Sequence, residues 1–374
     1  MITIILKGTN GCNLACNYCS LGKKDHAILP DGTMIFNIMD YACQLGKHNN
    51  DNSITFILHG GEPTLVKVST YDEAISRIKA KYSDMDITIS IQTNGYHIND
   101  EWISFFKKYD ISVGISLDGS KSIHDKERLS ASGVPTFDVI TRNIGTLLAN
   151  DIHVSCLMVL TSIGLSEDFG YLEYYSKHNL HLKINPLLDF GEVYEHPELS
   201  LKQGEYATYI IKLYEHILNN DLDITVSPID KLLLGIINNE TIHECTFRKN
   251  CNKNFLCIDY KGNMYPCGRF ADLKEYYLGN ILDCNYDIFT DDIINELVAR
   301  RTNLLPNKCR ECKYVSLCNA GCNADCSIYN SPDKTPAMCK DYMILFEYFT
   351  NKGLYFLKEK LLERKTDLTK ILKE

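Results

Sequence analysis

The stretch Gly8 to Leu21, GTNGCNLACNYCSL, decides how this chain is read, because Cys12, Cys16 and Cys19 stand with three and then two residues between them. Three thiolates carried by one loop can face a single soft metal centre. A closed structural zinc site calls for a fourth protein ligand nearby, and the next cysteine, Cys43, falls inside a predicted helix. An iron-sulfur cluster with three cysteine ligands instead leaves one iron open to a small molecule, which suits catalysis. The strand-like run Met1 to Leu6 leads straight into the triplet and places it at the carboxyl end of a first strand, where α/β and barrel enzymes carry their chemistry. Taken alone, the spacing also suits a metal knuckle or an unrelated cluster loop.

Further β-branched runs follow: Ile54 to Leu58, Ile87 to Gln92, Ile111 to Leu117, His153 to Leu160 and His181 to Ile184. Between them lie helical patterns, Val68 to Tyr82, Glu101 to Tyr109 and Phe137 to Ala149, the last with Phe137, Ile140, Ile144 and Leu147 at helical spacing. This alternation predicts parallel strands with right-handed crossovers, in an open sheet or a partial barrel. Later, Tyr206, Ile210, Leu213 and Ile217 share the face of an amphipathic helix.

The triplet, with Tyr18 before its last cysteine, resembles the signature of the radical S-adenosylmethionine (radical SAM) superfamily. The resemblance implies a partial (β/α)6 TIM barrel and a [4Fe-4S] cluster on Cys12, Cys16 and Cys19. The open iron binds S-adenosylmethionine (SAM), whose reductive cleavage yields a 5′-deoxyadenosyl radical. An electron donor such as flavodoxin or ferredoxin is implied as well.

The 374 residues suffice for one barrel-sized domain and a smaller one, and a net charge of -9 without long basic runs argues against a nucleic-acid groove. Sixteen cysteines, with no signal peptide and no apolar run of membrane-spanning length, suit thiolate-metal chemistry in a cytoplasmic protein away from membranes. A disulfide framework is the alternative.

Other motifs fall at strand ends. After the second strand, His59-Gly60-Gly61-Glu62-Pro63-Thr64 offers a close backbone approach and an acidic acceptor. A tight turn with a solvated acid is the competing reading. In the superfamily it resembles the GGE motif, which implies that Gly60, Gly61 and Glu62, with Tyr18, contact SAM. Gln92-Thr93-Asn94-Gly95 and Ser116-Leu117-Asp118-Gly119 follow the next two strands and could bind a ribose or a substrate backbone, or form Asx-capped turns. The run Ser116 to Phe137 resembles anaerobic sulfatase-maturing enzymes. That resemblance makes Ser116 the best ribose contact, with Asp118 and Gln92 towards the substrate. Arg128 either holds a carboxylate or sits on a solvated helix.

A second cysteine field begins at Cys245. Cys251, Cys267, Cys309, Cys312, Cys318, Cys322 and Cys339 resemble the seven-cysteine SPASM motif, which implies two auxiliary [4Fe-4S] clusters. One is carried over to Cys245, Cys251, Cys267 and Cys322, the other to Cys309, Cys312, Cys318 and Cys339. A pair of zinc ribbons is the alternative. Cys326 is a competing ligand, and Cys43, Cys156, Cys257 and Cys284 read as buried thiols. The expected domains are a barrel over 1–190, a connecting helical segment over 191–240, a SPASM domain over 241–345 and a C-terminal helix over 346–374.

Sulfatase-maturing enzymes carry a basic aspartate directly after the cysteine equivalent to Cys267, where this chain has Gly268. No protein base can therefore be assigned, although Asp118 and Asp259 could stand in. The leading expectation is a maturase of a ribosomal precursor peptide that forms a C-C or thioether crosslink. The alternatives are a formylglycine-forming sulfatase maturase and a non-catalytic iron-sulfur or zinc protein. With the barrel starting at residue 1, leader recognition is expected on another surface or a separate leader-binding protein.

Overall fold

The alternating β-branched runs do form strands. The structure, a computed structural model, describes residues 1–21, 29, 31–328 and 335–363. Its strands are β1 (Ile2–Lys7), β2 (Leu14–Cys16), β3 (Ser53–His59), β4 (Asp86–Thr93), β5 (Ser112–Ser116), β6 (Arg128–Ser130), β7 (Val154–Leu160), β8 (His181–Pro186), β9 (Val226–Ser227), β10 (Phe255–Asp259) and β11 (Met264–Tyr265). The helices α1 (Thr33–His48), α2 (Val68–Lys81), α3 (Asp100–Tyr109), α4 (Lys121–Glu127) and α5 (Phe137–Leu148) lie between the first of them.

The chain divides into two compact units that interleave along the sequence. The first comprises Met1–Met158, Asp189–Pro197 and Lys249–Leu304. Its strands run in the order β11-β10-β1-β3-β4-β5-β7, parallel throughout except for β10 with β11. Alternation along each strand sorts side chains onto two faces. Ile54, Phe56 and Leu58 of β3, with Val113 and Ile115 of β5, are fully buried towards the helices. Those helices supply Ile38, Ala42 and Leu45 of α1, Tyr71, Ile75 and Ile78 of α2, Trp102, Phe105 and Phe106 of α3, and Ile140, Ile144 and Leu147 of α5. The opposite, inner face carries Ile5, Lys7, Ile57, His59, Gln92 and Ser116, becoming polar at its carboxyl end. Strand β10 joins β1 in register from Thr3↔Phe255 to Lys7↔Asp259. Its short run FLCID gave no period to read, and its partner lies at the other end of the chain.

The second unit comprises Val159–Leu188, Glu198–Arg248 and Leu305–Glu374. Here β8 pairs in parallel with β9. The helix Glu205–Asn219 buries Tyr206, Ile210 and Leu213, leaving Ile217 half-buried. Buried Asp341, two residues beyond Cys339, accepts N–H groups from Gly204 and Ala207, each at 2.9 Å, at the start of that helix. Those donors have no partner within the helix. Asp341→Ala should therefore lower stability by about 2 kcal/mol in urea denaturation of the reconstituted protein. The C-terminal helical segment runs from Cys339 to Glu363, and its expected continuation over 364–374 lies outside the described residues.

Of the four thiols expected to be buried, Cys43, Cys156 and Cys257 are. Cys284 is exposed, a correction: it sits at φ +49 in the left-handed turn that ends a short helix. Among the described residues no helix is long and apolar enough to cross a membrane.

Candidate active site

Within the first unit, the loop Gly8 to Leu21 leaves β1 at its carboxyl end and is held on three sides. From β3, His59 O accepts Gly8 N–H at 3.1 Å, and the N–H groups of Gly61 and Glu62 donate to Thr9 O and Gly11 O, each at 2.8 Å. A Cβ at Gly60 would lie 2.2 Å from Thr9 O, and one at Gly61 would lie 2.1 Å from Gly11 O. The backbone that the glycine pair admits is thus that of the cysteine loop itself. On the second side β2 pairs antiparallel with β6, setting Cys16 opposite Arg128. On the third, Glu192 N–H donates to Cys19 O at 2.9 Å, beside Gly191 at φ +71.

The sulfurs lie among donors. Leu14 N–H points at Cys12 Sγ at 3.4 Å, Asn94 Nδ2 lies 3.9 Å from the same sulfur, and an Arg128 guanidinium nitrogen lies 3.9 Å from Cys16 Sγ. Burial pushes the Cys16 thiol up to about 12; Arg128 opposes this, and Cys19 and Cys12 add to it. The three sulfurs are therefore within electrostatic reach of one another. Iron displaces thiol protons outright, and donors around the sulfurs tune a cluster's potential. This donor set fits an iron-sulfur cluster. Among the described residues no three His, Cys, Asp or Glu side chains are gathered for a single metal ion.

Glu62 is buried and accepts four hydrogen bonds. Thr64 N–H at 2.9 Å, Thr64 Oγ1 at 2.7 Å and Thr93 Oγ1 at 2.6 Å reach Oε1, while Asn94 N–H at 2.7 Å reaches Oε2. Burial pushes its carboxyl up, and these donors oppose that shift. Its carboxylate ties the ends of β3 and β4 together. Asn94 in turn donates to Asn13 Oδ1 at 2.8 Å, so the second strand end is bonded to the cysteine loop. Gln92 reaches along the inner face, across Gly114, to Ser116 Oγ at 3.3 Å.

Asp118 and Arg128 face inwards. The fully buried Asp118 carboxylate accepts Arg128 Nε at 2.5 Å and the Tyr18 hydroxyl on the same oxygen. The guanidinium carbon lies 5.1 Å from the centre of the Tyr18 ring. Asp118 N–H donates to His124 Nδ1 at 3.2 Å, His124 Nε2 meets Thr136 Oγ1 at 3.0 Å, and Thr136 donates to Arg128 O at 2.6 Å. Burial, the largest influence, takes His124 down to about 4. A neutral ring with Nδ1 accepting carries its proton on Nε2, completing the chain. Arg128 is thus neither on a solvated helix nor exposed; it lies in β6 and backs Cys16.

In the second unit, Cys309 lies in the helix Asn307–Arg310, Cys318 ends the helix Val315–Cys318, Cys312 lies in the connection between these two, and Cys339 starts the helix Cys339–Tyr348. Burial raises the Cys339 thiol, with Cys312 adding to the rise. Cys326 is buried on the helix Asn323–Ile328, its N–H donating to Cys322 O at 3.2 Å. Of the other proposed set, Cys251 and Cys267 belong to the first unit, and Cys245 and Cys322 to the second. Sequence reasoning missed Arg301, which is buried and places a guanidinium nitrogen 3.2 Å from Cys251 Sγ. It also missed the Lys7–Asp272 ion pair at 2.8 Å. Neither pairing has a local signal, because the partners are far apart in sequence.

The radical SAM superfamily profile matches residues 6–169. The chain is 30% identical to a cysteine-type anaerobic sulfatase-maturating enzyme of Clostridium novyi, over 95% of this chain and 96% of that protein. Its fold is similar to that of native anSMEcpe with bound AdoMet and Cp18Cys peptide, with a TM-score of 0.82 at 24% identity, covering 96% of this chain and 99% of the other. It is also similar to Streptococcus suis SuiB bound to the precursor peptide SuiA, with a TM-score of 0.66 at 16% identity over 90% and 75%. With its parallel α/β sheet, its cysteine loop at a strand's carboxyl end and its cysteine-rich C-terminal region, the chain belongs to the radical SAM superfamily, among the relatives of the anaerobic sulfatase-maturating enzymes, whose cofactors are SAM and [4Fe-4S] clusters.

Proposed function

We propose that this enzyme is a sulfatase-type maturase that oxidises a cysteine side chain of a peptide to the aldehyde of formylglycine. The observation that carries this reading is the end-to-end similarity, at 30% identity, to a cysteine-type anaerobic sulfatase-maturating enzyme. The crosslinking expectation rests on Gly268, and the likeness to SuiB at 16% identity is one of fold alone; the similarity to the sulfatase maturases is the stronger support.

In this reading Cys12, Cys16 and Cys19 hold the catalytic cluster. Tyr18, the strand-end turn at Gly60, Gly61 and Glu62, and the side chains of Ser116 and Gln92 border SAM, with Asp118 and Arg128 fixing the loop from behind. Two auxiliary clusters use Cys245, Cys251, Cys267 and Cys322, and Cys309, Cys312, Cys318 and Cys339, in a SPASM region over 241–345. When bound, cluster and SAM supply the radical that removes a hydrogen atom from the substrate. Glu62 and Asn94 keep the strand ends fixed around it, and the glycine pair lets the turn after β3 pack directly against the backbone of the cysteine loop. A flavodoxin or ferredoxin in the cytoplasm would supply the reducing electron.

Incubating the reconstituted enzyme with SAM, a reductant and a peptide bearing one cysteine should give a product that reacts with hydrazide reagents and fragments fully across the modified site. A hydrazide-silent product, with fragments missing between two joined residues, would overturn this reading in favour of crosslinking.

A further inference from the structure

We propose that Asp272, held by Lys7, is the base that takes the substrate's sulfur proton in place of the acid missing at position 268. The inference rests on the sulfatase-type reading. Three other carboxylates of the first unit, Glu62, Asp118 and Asp259, are committed. Glu62 accepts four hydrogen bonds. Asp118 is fully buried on Arg128 and Tyr18. Asp259 closes its own turn, accepting Lys261 N–H at 2.8 Å, Asn263 N–H at 3.0 Å and Asn263 Nδ2 at 3.0 Å. Both stand-ins suggested by the sequence are thereby used up structurally.

Asp272 differs in exposure and in position. Its side chain is 49% exposed, whereas that of Lys7 is 4% exposed, and its bond to Lys7 uses Oδ2. Among the described residues Oδ1 accepts no hydrogen bond. Placement comes from β1. A Cβ at Gly268 would lie 3.3 Å from Ile5 Cδ1, so a side chain there projects onto the inner face at Ile5. Lys7, the next residue on that face, holds Asp272. An acid at 272 is therefore tied to the next inner-face position of β1, about 7 Å along the strand from Ile5 and towards the end where the cysteine loop begins. The segment between is anchored by Phe270, which is fully buried with its ring centre 4.2 Å from that of Tyr276.

His59 flanks Lys7 in register on the same face. Its Nδ1 lies 2.7 Å from Gly60 N and 3.2 Å from Gly60 O, so the backbone of Gly60 occupies that side of the ring. In the step proposed, the substrate cysteine loses a hydrogen atom from Cβ to the adenosyl radical, a proton from sulfur to Asp272 Oδ1, and an electron to an auxiliary iron-sulfur cluster as oxidant. The C–S single bond becomes C=S, and water converts the thioaldehyde to aldehyde and hydrogen sulfide.

The test uses reconstituted enzyme, SAM, reductant and a one-cysteine peptide deuterated at Cβ. Asp272→Asn should still transfer deuterium into 5′-deoxyadenosine while aldehyde falls at least about 100-fold. Without reductant, the wild type should bind the cysteine peptide more tightly than its alanine analogue, and Asp272→Asn should lose that preference with alanine-peptide affinity unchanged. Lys7→Met/Asp272→Asn leaves no buried charge unpaired and should reproduce both results if the single variant folds poorly. Aldehyde at wild-type yield from these variants overturns the assignment of Asp272. A wild type that makes no aldehyde overturns the sulfatase-type reading, and the inference with it.

Discussion

Replacing Cys12, Cys16 and Cys19 together by alanine should abolish reductive cleavage of SAM, because these residues carry the only cluster that the reading leaves with an open iron. Three [4Fe-4S] clusters amount to about 12 irons per chain, and the triple variant should retain about eight. Cys312→Ala, in the second unit, should instead lower the iron content while sparing part of the 5′-deoxyadenosine yield, since it leaves the SAM-binding iron in place. Iron analysis and quantification of 5′-deoxyadenosine read both effects. Cleavage persisting in the triple variant would remove the loop from the catalytic centre, and stoichiometric zinc without charge-transfer absorbance would remove the chain from radical chemistry altogether.

Arg128→Met should destabilise the protein by about 3–5 kcal/mol, because it strands the Asp118 carboxylate in a site with no exposure to water. Coulomb attraction, the 2.5 Å Nε bond and the stacked Tyr18 ring together offset the desolvation of that charge only while Arg128 is present. Arg128→Met/Asp118→Asn removes both charges and should recover most of the loss in denaturant titrations. Because Arg128 also lies 3.9 Å from Cys16 Sγ, Arg128→Met should shift the potential of the catalytic cluster to more negative values, as loss of a nearby positive charge disfavours the added electron, and the double variant should shift it less because the Asp118 charge is removed as well. Equal stability of single and double variants would show that the pair is not coupled.

Much of this was legible locally. A loop presenting three thiolates needs only the spacing of Cys12, Cys16 and Cys19, and β1, β3, β4, β5 and β7 were visible because period-two burial acts over a few residues, whereas the three-residue β2 and β6 were not. The helix face of Ile140, Ile144 and Leu147 could be read for the same reason. By contrast, the sequence left open a solvated turn acid at Glu62, a solvated helix for Arg128 and a base in Asp118 or Asp259. Tertiary structure decided each of these, since what such a group does depends on partners brought to it from elsewhere.

By itself, then, the sequence determined the class of chemistry and the β/α order, because both are written in contacts and spacings between near neighbours. Only the fold could decide that β10 lies beside β1, that Cys16 is backed by an arginine 112 residues away, and that Asp272 meets Lys7 across 265 residues. Pairings at such separation leave no periodic trace along the chain. They arise when a sheet closes the distance, and the charge left nearest the inner face is then set by which carboxylates the turns have already consumed.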